Sequence, residues 1–220
     1  MSAWAVLVAA GTGERLGEGR PKAFVRLGEL PLLAEPLRRL DESPWVDSIV
    51  VAVPAGWEEP AILLAEELSA TKVVASVTGG ATRAESVRLA LAEVPEDALV
   101  VLVHDAARPL VSDAVLERVL APLGEGWEGV VPALPLTDTV KRVDGDAVVE
   151  TLDREGLVGA QTPQAFLAPT LRGAYADAAG ATDCASLVEA RGGRVRVVPG
   201  DPRLLKVTTR EDLELVQSWL

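Results

Sequence analysis

Four short apolar runs alternate with helically spaced segments along the first half of the chain, and that alternation limits the folds open to it more than any other feature. Residues 4–10, 47–53, 72–77 and 98–103 are dominated by valine, alanine, leucine and isoleucine. Such runs read as strands buried on both faces, the condition of a parallel sheet covered by helices. Between them, residues 32–40, 58–69 and 82–92 carry helical spacing, and Ser112-Asp113 opens a further helix to about Leu120. The βαβαβαβα order predicts an α/β fold with a Rossmann-like, doubly wound, mostly parallel sheet.

From Gly129 the pattern changes. Residues 129–133 read as one more strand, and 137–143 and 147–153 then alternate apolar and polar around Asp144-Gly145-Asp146, as a β-hairpin does. A two-stranded ribbon is barely stable alone in water, so residues 134–157 are expected to form an arm that lies on a second copy of the chain, making a homodimer. Helices near 168–179 and 183–190, a strand near 194–198 and a closing helix from Arg210 complete the reading. The 220 residues fit a single domain, 1–220.

Composition narrows the function. A formal net charge of −12 argues against a nucleic-acid or membrane-surface binder, which needs a basic face. No apolar run is long enough to cross a bilayer and no leader segment is expected, so the expected location is cytoplasmic. One cysteine, Cys184, excludes an intrachain disulfide, and one histidine, His104, excludes a multi-histidine zinc site. An acidic chain that handles anions must concentrate its positive charge locally.

In open α/β sheets ligands bind beyond the carboxyl ends of the strands, so the loops there carry the chemistry. The first is Ala9-Ala10-Gly11-Thr12-Gly13-Glu14-Arg15, closed by Arg20-Pro21-Lys22. Its glycines permit close backbone approach and unusual turns. Its N–H groups can converge on an anion, with two arginine forks and a lysine point charge beside them. It is not the dinucleotide fingerprint, because the third glycine, Gly17, comes one position late and Pro21 interrupts a helix. It is not a P-loop, because no Gly-Lys pair exists in the chain. It reads as a loop for a polyphosphate. The second loop, Gly79-Gly80-Ala81-Thr82-Arg83-Ala84-Glu85-Ser86, reads either as a backbone approach to a base or ribose, with Ser86 offering a hydroxyl, or as a plain capped turn with Arg83 in solvent. The third is His104-Asp105-Ala106-Ala107-Arg108-Pro109. Asp105 stands at a strand tip, where a carboxylate can meet Mg²⁺ or a ribose; a turn or cap role would leave Arg108 unexplained. His104, at the end of a buried strand with no nucleophile motif beside it, reads as a hydrogen-bonded structural residue.

Seven motifs, in order, carry a resemblance: Ala-Ala-Gly-x-Gly-x-Arg-x₅-Pro-Lys, Gly-Gly-x-x-Arg-x-x-Ser-Val, Val-His-Asp-Ala-Ala-Arg-Pro, Asp-Thr-Val-Lys-Arg, Thr-Pro-Gln, Thr-Asp-x-Ala-Ser and Lys-Val-Thr-x-x-Glu-Asp-Leu. The chain resembles, over essentially its whole length, the 2-C-methyl-D-erythritol 4-phosphate cytidylyltransferases, the CTP-using enzymes of the non-mevalonate isoprenoid pathway, whose fold is that of nucleotide-diphospho-sugar transferases. The resemblance implies that Ala9, Ala10, Gly11, Thr12, Gly13, Arg15 and Lys22 hold the triphosphate, with Arg15 and Lys22 stabilising the transition state. It implies that Gly80 and Ser86 meet the cytosine and that Asp105 and Ala107 lie near the ribose and a metal, Mg²⁺ or another divalent cation held at Asp105. It also implies that Asp105, Arg108, Thr182 and Lys206 face the methylerythritol phosphate, while Thr139 and Arg154 reach from the arm into the partner's site. The catalytic set is then Arg15, Lys22, Lys206 and Arg154. Rival readings are a cytidylyltransferase for ribitol or another polyol phosphate, a sugar-1-phosphate nucleotidyltransferase, and a non-catalytic nucleotide sensor on the same fold. Ala106-Ala107, the arm, and the retained Arg15, Lys22 and Lys206 argue against each in turn.

Overall fold

A computed structural model describes residues 3–16, 19–176 and 183–220, with Arg15 described by its backbone alone. In chain order the elements are β1 (Ala3–Val8), β2 (Arg26–Leu27), β3 (Leu30–Pro31), α1 (Ala34–Glu42), β4 (Ser48–Val53), α2 (Glu58–Glu67), β5 (Val73–Thr78), α3 (Arg83–Leu91), β6 (Val100–Asp105), α4 (Asp113–Leu120) and β7 (Gly129–Pro135). Then follow β8 (Val140–Asp144), β9 (Ala147–Leu152), β10 (Val158–Ala160), β11 (Gln164–Leu167), α5 (Ala168–Ala176), α6 (Cys184–Ala190), β12 (Val195–Pro199) and α7 (Arg210–Gln217).

The central sheet runs β5-β4-β1-β6-β11-β7, with β10 and β12 also paired to β7. β1 lies parallel to both β4 and β6, with Val6 opposite Val50 and Val103, and β4 is parallel to β5. The apolar runs of β1, β4 and β6 are continuous because both faces of these strands are covered; β5, at the sheet edge, is only partly buried, with Val74 exposed. Leu7, Ile49, Val51 and Leu102 pack with Leu37 of α1, Leu64 of α2 and Leu116 of α4. Val6, Val50, Val101 and Val103 pack with Val87 of α3, Leu171 of α5 and Val188 of α6. Each such aliphatic side chain, once fully buried, stabilises the fold by about 1.5–3 kcal/mol. Pro36 sits in the first turn of α1, where a missing N–H leaves no helical bond unmade.

Two features differ from the sequence reading. β11 enters the sheet antiparallel between β6 and β7, with Ala165 opposite Leu102 and Val130, and β10 runs antiparallel to β7. Neither strand was expected; at three and four residues, with β11 passing directly into α5, they present no readable period. A small hairpin, β2–β3, was also missed for the same reason. The arm was found: β8 and β9 pair only with each other, joined through Gly145 at φ +55° and Asp146, a turn that suits glycine at its first position. The arm is exposed almost throughout, Val143, Val148 and Val149 included.

Candidate functional site

The carboxyl ends of β1, β5 and β6 meet at one edge, and their ladders continue one residue into the loops. Ala9 donates to the Ala52 carbonyl at 2.7 Å, Gly79 to Val53 at 2.7 Å, and Ala106 to Val8 at 3.0 Å. The three loops thus start from neighbouring points and enclose a cleft of about 590 Å³. Ala9, Ala10, Gly11, Thr12, Gly13, Lys22, Gly80, Ser86, Asp105, Ala107 and Lys206 all line it. Those eleven sequence-predicted residues come together.

Local chemistry explains the glycine loop. Gly13 has φ +76°, and a Cβ there would fall 2.9 Å from the Lys22 backbone nitrogen and 3.0 Å from its Cα. The loop therefore folds back on itself through a glycine that nothing larger can replace. Lys22 donates its N–H to the Gly11 carbonyl at 3.1 Å and starts a 3-10 turn after Pro21, at φ −58°. The turn is anchored by Phe24, buried against Trp57 with ring centroids 4.3 Å apart.

In the second loop Thr82 caps α3, accepting from the Glu85 N–H at 3.1 Å. The Ser86 hydroxyl accepts from Gly80 N–H at 3.1 Å and donates to the Thr82 carbonyl at 2.9 Å. In this state it shapes the Gly80 turn. Glu85 lies where a Gly80 Cβ would go, 2.1 Å from that position at its Cγ.

Arg83 is not in solvent, as the plain-turn reading had it. Its Nε donates to Asp105 Oδ1 at 2.8 Å, while Lys206 Nζ donates to Asp105 Oδ2 at 2.7 Å. Asp105 is only 6% exposed. Burial alone would push its carboxyl up, but the charges of Arg83 and then Lys206 overcome that and hold it well below the usual carboxylate range. The triad carries a net charge of one positive unit on the cleft wall. The first residue of a helix is a poor place for a cation, because the macrodipole is positive there. That misplacement was the available sequence signal that Arg83 has an outside partner.

Lys206 reaches Asp105 from the far end of the chain. Val207 donates to the Ala107 carbonyl at 2.8 Å, and Thr209 and Asp212 form a reciprocal capping box at the start of α7. The Lys-Val-Thr-x-x-Glu-Asp-Leu motif is thus a helix start that presents a lysine. Val207, Leu213 and Val216 pack with Leu16 of the glycine loop and with Leu110, so one apolar cluster fixes both sides of the cleft.

His104 stays out of the chemistry. Its Nε2 is 2.9 Å from the Arg108 carbonyl, which can only accept, so Nε2 carries the proton and Nδ1 accepts from the Thr162 hydroxyl at 3.1 Å. That hydroxyl in turn accepts from the Asp105 N–H at 3.0 Å. Burial pushes the imidazole down to about 4, so it is neutral.

Arg108, expected to face the methylerythritol phosphate, is tied here to a backbone carbonyl. Its Nη1 donates to the Leu204 carbonyl at 2.6 Å, and it is not among the residues lining the cleft. It braces the segment that carries Lys206. Thr139 and Arg154 lie on or beside the exposed arm, Arg154 bonded to the Thr137 carbonyl, and neither lines this chain's cleft. Thr182 and the Arg15 side chain lie outside the described residues.

Among the described residues no group of three or more histidine, cysteine or acidic side chains could hold an ion, and both oxygens of Asp105 are already in ion pairs. Mg²⁺ commonly keeps its waters and is held by one or two carboxylates together with substrate phosphates. The donor set here fits a cation that arrives on a triphosphate.

Comparison with known proteins identifies the family. A family model for 2-C-methyl-D-erythritol 4-phosphate cytidylyltransferase matches residues 3–220. A protein of that name from Saccharopolyspora erythraea is 49% identical over 225 residues, covering all of both chains. One from Nocardia farcinica is 48% identical over 98% of this chain and 93% of its own. Among solved structures, the Francisella tularensis cytidylyltransferase superposes with a TM-score of 0.85 at 30% identity over the whole of both chains. The cytidylyltransferase from Thermus thermophilus gives 0.80 at 34% identity over 97% of this chain and 96% of its own. No described helix is long and apolar enough to cross a membrane.

Proposed function

This chain belongs to the 2-C-methyl-D-erythritol 4-phosphate cytidylyltransferase family, and we propose that it transfers the CMP part of CTP to that phosphate, releasing pyrophosphate, by in-line attack within the cleft just described. The observation that carries the placement is the meeting of the Gly11–Lys22 loop with the Arg83–Asp105–Lys206 triad on one cleft. The triphosphate lies along the glycine loop, where Gly13 lets the chain close on Lys22. The base lies over Gly80. The polyol phosphate lies against Asp105 and Lys206.

The reaction needs no general base. The attacking group is an oxygen of the substrate's own phosphate, largely a dianion at neutral pH because its second pKa is about 6. A buried, neutral His104 turned away from the cleft is consistent with that. The barrier is like-charge repulsion and the charge that develops on the pentacoordinate α-phosphorus. Lys22, with Arg15 from the same loop, neutralises those oxygens, and the loop backbone orients them. A divalent cation arriving with the triphosphate, with Asp105 as its protein carboxylate, would add to that neutralisation by offsetting negative charge on the phosphates.

Two further parts belong to the same reading. The chain acts as a homodimer, its arm lying on the partner and bringing Thr139 and Arg154 to the partner's cleft; the self-paired, exposed ribbon with Val143, Val148 and Val149 uncovered supports it. The enzyme works in the cytoplasm, where its charged nucleotide substrate is present.

The test is pyrophosphate release with Mg²⁺, each of the four ribonucleoside triphosphates being offered with 2-C-methyl-D-erythritol 4-phosphate and with ribitol 5-phosphate. Release only from CTP with methylerythritol phosphate is expected. Release with ribitol phosphate would keep the cytidylyl chemistry and overturn the acceptor, and silence in every pairing would overturn catalysis in favour of nucleotide sensing.

A further inference from the structure

We infer that Arg83 is a positioning residue for this transfer: it is the permanent partner of Asp105, and it thereby frees Lys206 to exchange from Asp105 to the incoming substrate phosphate. This rests on the placement of the polyol phosphate against Asp105 and Lys206.

The two cations on Asp105 are held differently. Arg83 is the first residue of α3, and its guanidinium is fixed on two sides, with Nε on Asp105 Oδ1 at 2.8 Å and Nη1 on the sulfur of Cys184 at 3.4 Å. Cys184 is fully buried at the start of α6, with the Tyr175 hydroxyl 3.1 Å from the same sulfur. Burial pushes the Cys184 thiol up, so it stays uncharged, and it supports Arg83 without competing for its charge. The Arg83 side chain is 21% exposed. Lys206 instead comes from a loop, its side chain is 41% exposed, and its ammonium is a point charge on a flexible stem.

Charge arithmetic makes the difference functional. With both cations present the triad is net +1, and when Lys206 turns to a phosphate, Asp105 remains neutralised by Arg83. Without Arg83, Lys206 is the sole counter-charge of a carboxylate that is 6% exposed. Moving it would leave that carboxylate bare beside a phosphate dianion, a strongly unfavourable arrangement in a buried site. Lys206 would be trapped on Asp105, and the cleft wall would lose the net positive charge that attracts the acceptor.

A double-mutant cycle on the full-length enzyme tests this. Arg83→Gln should lower kcat/KM for 2-C-methyl-D-erythritol 4-phosphate by about 10- to 100-fold, while KM for CTP changes by less than about threefold. Arg83→Lys should restore part of the loss. With Asp105→Asn already in place there is no carboxylate to neutralise, so adding Arg83→Gln should cost less than about threefold more. Equal losses in both backgrounds, or a parallel rise in KM for CTP, would overturn the positioning role and leave Arg83 a general structural residue. If Asp105→Asn alone leaves kcat/KM for the polyol phosphate unchanged, the placement of that substrate fails as well. Should Arg83→Gln melt too low to assay, Arg83→Lys carries the same cycle: its smaller loss must also vanish beside Asp105→Asn.

Discussion

Gly13 stands at φ +76°, and an alanine there must place a methyl carbon 2.9 Å from the backbone nitrogen of Lys22 and 3.0 Å from its Cα and Cβ. The left-handed backbone costs a non-glycine residue about 1–2 kcal/mol. The contact cannot be relieved by turning a side chain, since two of the three atoms met are backbone. The two arms of the loop must separate by several tenths of an ångström, and Lys22 moves with them. On the chemistry proposed here that displacement matters more than the strain: a misplacement approaching 1 Å costs about 100-fold in rate. Gly13→Ala should therefore lose about 1–2 kcal/mol of stability, a fall of roughly 2–8 °C in Tm, and about 100-fold in kcat for pyrophosphate release. Gly28→Ala is the internal control. Gly28 has φ +68° with nothing within 4 Å of the added carbon, and it lies in the β2–β3 turn outside the cleft. It should show the same stability loss and unchanged turnover. If Gly13→Ala keeps more than about half of the wild-type kcat, or if Gly28→Ala loses as much, the account of how the loop seats Lys22 is wrong.

Lys22→Ala should cut turnover by about 100-fold or more with a change in stability of no more than about 1 kcal/mol, measured by steady-state kinetics beside urea unfolding; near-normal turnover would remove Lys22 from the mechanism. Arg154→Ala should raise KM for the methylerythritol phosphate and leave CTP affinity, read by titration, largely intact. If the site is shared between subunits, mixing Lys22→Ala and Arg154→Ala proteins should restore about a quarter of the sites, and no recovery after subunit exchange would count against the arm's role. His104 is the only histidine, and its folded-state value of about 4 lies below the ordinary 6.5. Between those values the unfolded chain binds a proton that the folded chain does not. Stability is therefore full above about pH 6.5 and falls toward pH 4, by about 3 kcal/mol over the window. Denaturant unfolding at pH 7 and pH 4.5 should show this slope, and His104→Gln should flatten it; a slope unchanged in the variant would assign it to other groups.

The fold and the cleft were legible in the sequence to different depths. Continuous apolar runs and helical spacing were enough for the parallel strands β1, β4 and β6, because a strand covered on both faces has to be apolar at every position. Gly13, Gly80 and Asp105 could be picked out because positive φ, close approach and a carboxylate at a strand tip leave marks on residue type. What residue type does not mark is the partner. Arg83 and Lys206 stand 123 positions apart in the chain and meet on one carboxylate only because β6 is central, α3 starts beside it and the α7 capping box turns Lys206 back toward it. Arg108 is bound through Nη1 to the Leu204 carbonyl, a bond whose acceptor is a backbone atom with no sequence signature. β11 escaped notice because four residues show no period, and its antiparallel place between β6 and β7 is set by pairing with strands distant in the chain. Sequence determines what each segment can be, through steric freedom and burial that act over a few residues. Charge pairing, strand order and which loops share a cleft are decided by contacts between distant segments, and those exist only once the chain is folded.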